Sequence, residues 1–104
     1  MEHFYENIYG WFPWANFYSE MIEKLPNNSH IVEIGAYKGR SSAYLVVEAL
    51  NSGKNIKIDI IDSWDGTNET GEGAWQSYID EPEKNQSKPN GDIFEEFKKN
   101  LKPV

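Results

Sequence analysis

The segment from His30 to Asp62 constrains the fold more than any other part of the chain: "HIVEIG", then "AYKGRSSAYLVVEALNSGK", then "NIKIDIID". The first run is short and β-branched and ends in a glycine, the pattern of a buried strand. From about residue 40 to 51, Ala43, Leu45, Val46, Val47, Ala49 and Leu50 surround much of a helical circumference, which predicts a well-buried helix stopped by Asn51-Ser52-Gly53. The last run alternates Ile56, Ile58 and Ile60 against Lys57, Asp59 and Ile61, so it reads as a second strand with one more polar face. Strands separated by a single helix must run parallel, with a right-handed crossover. The segment is therefore a βαβ unit, and the fold class is α/β, the start of a doubly wound sheet.

The flanks add helices. Residues 1–29 form a lead-in: an aromatic stretch, "MEHFYENIYGWF", then Pro13 at the first turn of a helix. "WANFYSEMIEKL" puts Trp14, Phe17, Tyr18, Met21, Ile22 and Leu25 on one helical stripe, whose plain reading is packing; Pro26 and Asn27-Asn28 end it. Residues 65–91 read as an acidic loop, with six carboxylates and no Lys or Arg between Asp65 and Glu83 and a helical turn around "AWQSYID". Residues 92–104 read as a C-terminal helix, with Asp92 and Glu95 as a capping box and Ile93, Phe94, Phe97 and Leu101 on one face. The expectation is one domain over residues 1–104, with the βαβ unit at 30–64 and about three helices.

Composition narrows the partners. A net charge of −7 argues against nucleic-acid backbones and anionic membranes. There is no cysteine, which excludes disulfides and thiolate metal sites. His3 and His30 have no metal-ligand neighbours at useful spacing, so no metal site is expected. No apolar run approaches the roughly 20 residues of a membrane span. "MEHFYENIYG" lacks the basic and apolar regions of a signal peptide, so a cytoplasmic protein is expected and the sequons at Asn27, Asn68 and Asn85 are chance matches.

In open α/β sheets, ligands bind beyond the carboxyl ends of the strands. Here those ends are Glu33-Ile34-Gly35 and Ile61-Asp62-Ser63-Trp64. Gly35 permits a sharp turn, and Gly39 lets the loop approach either the helix or a ligand closely. Asp62 is placed to accept ribose hydroxyls or, equally, to cap its own loop. Tyr37 stands where a dinucleotide fingerprint needs glycine, and "GAYKGRS" has the wrong spacing for a triphosphate loop. A glycine loop and a ribose acid without a pyrophosphate bed suit a nucleoside carrying an amino acid, such as S-adenosylmethionine. Lys38, Arg40 and Ser41 read as solvated rim residues.

"IVEIGAYKGRSSAYL" followed by "KIDIIDSWDG" resembles the opening motifs of class I S-adenosylmethionine-dependent methyltransferases. The likeness is to the bacterial and phage group whose second strand ends in Asp-[Ser/Thr]-Trp-x-Gly. The lead-in "GWFPWANFYSEMIEKLPNNS" and the tail "GDIFEEFKKNLKPV" resemble that group's flanking helices. The resemblance implies a partial Rossmann-like fold with S-adenosylmethionine as cofactor. It puts Glu33, Gly35, Ala36, Tyr37 and Gly39 around the methionyl end, Asp62 on the ribose hydroxyls, and Ser63 and Trp64 near ribose and adenine. Trp64 could equally anchor its loop in the core.

The family's sheet usually has seven strands, and "LKPV" falls where the third would begin, so the resemblance implies a chain truncated before strand 3. The expected function is the cofactor-binding portion of a methyltransferase acting on a small-molecule acceptor. No catalytic residue can be named: Glu69, Glu72 and Asp80 lie in the acidic loop, where solvated surface is the plainer reading. The alternatives are a non-catalytic binding or interaction module, or a truncated product that needs a partner chain. An open apolar edge on "HIVEI" would recruit another strand, so a homodimer or a complementing second chain is expected.

Overall fold

A computed structural model describes residues 1–64 and 92–104. The acidic segment, with Glu69, Glu72, Asp80 and the turn around "AWQSYID", and the Asp92 side chain of the expected capping box lie outside the described residues.

Two strands, β1 (His30–Ile34) and β2 (Lys57–Ile61), pair in parallel from His30↔Lys57 to Ile34↔Ile61. Helix α2 (Arg40–Asn51) connects them, so the βαβ arrangement and the α/β class stand as read from the sequence. Helix α1 (Ala15–Lys24) precedes β1, and α3 (Asp92–Asn100) follows β2. No helix among the described residues is long and apolar enough to cross a membrane.

The core lies between α1, α2 and one face of the sheet. Ile22, Leu45 and Ala49 form its centre, and Tyr18, Met21, Ile31, Ile56 and Ile58 pack around them. The lead-in stripe is only partly buried. Ile22 is buried and Tyr18, Met21 and Leu25 are half-buried, but Trp14 and Phe17 are exposed. One residue on a helix turns the side chain by about 100°, so Phe17 points away from the arc that Tyr18 and Ile22 share. The N-terminal aromatics do pack: Phe12 sits 5.0 Å from the Tyr18 ring and 5.4 Å from Tyr44.

The strands are buried on one face only, against the expectation for β1. Successive strand residues face opposite sides. Glu33 and Ile31 face the helices, while Val32 and Ile34 are exposed together with Ile61. The physical reason is that α1 and α2 cover the same face. The outer edge of β1 is also defined. Gly35 donates to Ile61 O (2.8 Å) and Lys57 donates to Ser29 O (2.9 Å), so odd-numbered residues of β1 bond β2. The backbone groups of His30, Val32 and Ile34 point the other way, where no strand lies among the described residues.

Candidate functional site at the strand ends

Parallel register brings the two strand ends to one mouth. Beyond β1 the chain turns through Gly35, with φ +87°, and nothing among the described residues lies within 4 Å of where a Cβ would stand. Tyr37 at φ +52° and Trp64 at φ +57° also adopt left-handed backbone, so both loops are tightly turned.

Asp62 joins the loops. Its Oδ2 accepts the backbone N–H groups of Ala36 (2.7 Å) and Tyr37 (2.9 Å), and its Oδ1 accepts the N–H of Trp64 (2.8 Å). The structure thus brings together Gly35, Ala36, Tyr37, Asp62 and Trp64. It does so by pairing the carboxylate with backbone amides of the glycine loop itself. Asp62 stays half-buried and Ser63 is exposed.

Gly39 and Trp64 are drawn toward α3. Gly39, at φ +96°, ends the first loop and caps α2, its carbonyl accepting the Ala43 N–H at 2.8 Å. A Cβ there would stand 3.0 and 3.2 Å from the Phe97 ring and 3.4 Å from Leu101. Of the two close approaches left open by the sequence, helix or ligand, Gly39 makes the helix one. The Trp64 ring packs 4.5 Å from Phe97 and 5.0 Å from Phe94, the anchoring arrangement.

Lys38 is not a rim residue. Its side chain is 0% exposed, with Nζ 3.3 Å from Glu96 and above the rings of Tyr9 (5.1 Å) and Tyr37 (5.6 Å). Burial pushes its amine below the usual lysine range, and the Glu96 carboxylate partly offsets that. Asn100 adds a hydrogen bond to the Lys38 carbonyl at 2.9 Å. Arg40 is not solvated either: its guanidinium donates to Ile8 O (2.8 Å) and holds the N-terminal segment. Ser41 is half-buried.

Glu33 lies beneath the helices. It is 6% exposed; its Oε2 accepts the Tyr18 hydroxyl (2.8 Å) and its Oε1 the Ser42 hydroxyl. Burial, followed by the Glu33 carboxylate, pushes the Tyr18 hydroxyl up to about 12. His30 sits at the far end of the sheet, 2.6 Å from Asp59, and this bond holds Asp59 below the usual carboxylate range. His3 pairs with Glu48 at 2.7 Å. A groove of ≈270 Å³ lined by Phe17, Glu20, Met21, Lys24 and Leu25 runs along α1 and includes no residue of the mouth.

The sequence does not single out Tyr18, Ser42, Glu96 or Phe97 as site residues; Tyr18 and Phe97 carry a packing signal, their places on the apolar stripes of α1 and α3. No family model, curated protein or solved structure matches the chain.

Proposed function

We propose that the chain is the cofactor-binding portion of an S-adenosylmethionine-dependent methyltransferase, taking the adenosyl amino acid at the mouth of β1 and β2. One observation carries the reading: Asp62, at the end of β2, lies within hydrogen-bond distance of the glycine loop that leaves β1. The residues fit the ligand in two respects. Asp62 Oδ1 accepts one hydrogen bond among those described, and a carboxylate oxygen has room for another, here a ribose hydroxyl. The open space over Gly35 admits the methionyl end close to backbone. The bound cofactor would supply an electrophilic methyl group. The chain's own part is to bind and orient it, and the acceptor proposed is a small molecule.

Isothermal titration of the whole chain with S-adenosylmethionine and S-adenosylhomocysteine tests this. Both should bind, and Asp62→Asn, which keeps the shape but weakens the acceptor, should bind about tenfold more weakly, the worth of one good hydrogen bond to a charged group. The absence of heat with either compound, or equal affinity in Asp62→Asn, rejects the assignment.

A second reading, a non-catalytic interaction module, has its own support. The three hydrogen bonds at Asp62 among the described residues are internal, and Trp64 and Gly39 are engaged by α3. On that reading neither compound binds.

A further inference from the structure

Helix α3 touches both halves of the mouth. On the first loop, Phe97 and Leu101 fill the space over Gly39, Glu96 pairs with Lys38, and Asn100 bonds the Lys38 carbonyl. On the second, Phe94 and Phe97 hold the Trp64 ring. The Ala36 and Tyr37 amides held by Asp62 lie immediately upstream of Lys38 and Gly39.

We propose that α3 is a strap. Docked, it fixes the two loops in the arrangement where Asp62 accepts the protein's own amides; released, it frees that carboxylate for a ligand. A count of lone pairs gives the reason. A carboxylate offers about four acceptor sites. Ala36 and Tyr37 fill the two of Oδ2 and Trp64 takes one of Oδ1. A ribose diol brings two hydroxyl donors, and by the bonds among the described residues one site remains. The second hydroxyl must displace a loop amide, which moves the loop that α3 grips at Lys38 and Gly39. Nine residues are too few for a helix that is stable alone, so α3 owes its order to docking and releases as a unit. Coupling between sites is reciprocal: a ligand that opens the loop weakens α3 docking, and a weakened α3 tightens the ligand.

The loop-holding part stands on geometry alone; the ligand part rests on the cofactor reading proposed above. Amide hydrogen exchange followed by NMR on the ligand-free chain tests the first. In Phe97→Ala, exchange at Ala36 and Tyr37 should rise about tenfold, as local opening becomes easier, while Lys57, bonded to Ser29 in the strand ladder, stays unchanged. Should Phe97→Ala loosen the whole chain, Glu96→Gln, which cuts only the Lys38 tie, should show the same selective rise to a smaller degree. Unchanged exchange at Ala36 and Tyr37 in both variants, or a rise equal to that at Lys57 in both, overturns the strap. S-adenosylhomocysteine titrated into the same samples should bind several-fold more tightly to Phe97→Ala than to the wild type. Equal or weaker binding overturns the competition. Loss of binding in every sample, wild type included, rejects the cofactor reading and the ligand half of this proposal with it, while the exchange data still decide whether α3 holds the loop.

Discussion

Replacing Gly39 by alanine tests whether α3 is seated on the glycine loop. Two costs add. The backbone at φ +96° is left-handed, where an L side chain costs roughly 1–2 kcal/mol. The new Cβ would also stand 3.0 Å from Phe97 Cδ2 and 3.2 Å from Cε2, closer than side chains sit. Phe97 has little room to withdraw: it is 9% exposed and its ring lies 4.5 Å from Trp64. Forcing a methyl into such a contact costs typically about 1–3 kcal/mol. The expected loss is therefore about 2–5 kcal/mol, a large share of the ~5–15 kcal/mol that holds a domain folded. Gly35→Ala is the matched control. Its φ of +87° imposes similar strain, but a Cβ there meets nothing within 4 Å among the described residues, so only about 1–2 kcal/mol should go. Urea unfolding followed by far-UV circular dichroism gives both numbers, and the double variant Gly39→Ala/Phe97→Leu should regain part of the loss, because neighbours couple. Equal destabilisation by the two alanines, with no recovery in the double variant, would show that Phe97 does not rest on this loop.

Alkaline pH and self-association give further tests. The folded Tyr18 hydroxyl, at about 12, lies above its ordinary value near 10, so its contribution is whole below pH 10 and is lost as pH rises from 10 to about 12. Tyr18→Phe should cost about 1 kcal/mol at pH 8, and the gap to the wild type should close by pH 12; urea midpoints that keep a constant gap reject this. The edge of β1 that carries no strand among the described residues is proposed to pair with a second copy, antiparallel about a two-fold axis through Val32. Val32→Pro removes an N–H that points away from β2 and leaves the β1–β2 ladder intact. Sedimentation should give a dimer for the wild type and a monomer for the variant, and a monomeric wild type at micromolar concentration refutes the pairing.

The βαβ frame was legible because periodicity is a local property. α2 runs from Arg40 to Asn51, the span its apolar positions mark, and the two isoleucine-rich runs are the strands. What was not legible depends on which groups meet across long separations. Lys38 reads as a solvated charge until Glu96, far along the chain, and two tyrosine rings close over it. Gly39 announces a need for space without naming what fills it. The stripe from Trp14 to Leu25 is wide enough for two faces, and only the placement of α2 and the sheet decides that Ile22 turns inward and Phe17 outward. β1 reads as buried on both sides because Val32 and Ile34 are as apolar as Ile31; nothing local says that both helices cover the same face.

The resemblance places Glu33 at the methionyl end and Asp62 on the ribose hydroxyls, but the two carboxylates at the strand ends are engaged very differently. Glu33 receives a hydroxyl from α1 on one oxygen and a hydroxyl from α2 on the other, and it is almost fully buried. Serving a ligand would mean leaving the half-buried Tyr18 hydroxyl or the buried Ser42 hydroxyl without its partner, the latter at roughly 1–3 kcal/mol. Glu33 is better suited to fixing α1 and α2 on β1, two residues before the mouth, and so to setting where Gly35 turns. Asp62 differs in each respect. It is half-buried, its partners are backbone amides of loops rather than side chains of packed helices, and a vacant acceptor site remains on Oδ1 by the count of described bonds. Loop amides exposed by opening can turn to water, which the buried Ser42 hydroxyl beside Glu33 cannot. Of the two acids, Asp62 is therefore the one whose bonds a ligand can exchange at lower cost, and on the proposed cofactor reading recognition at this mouth falls to it.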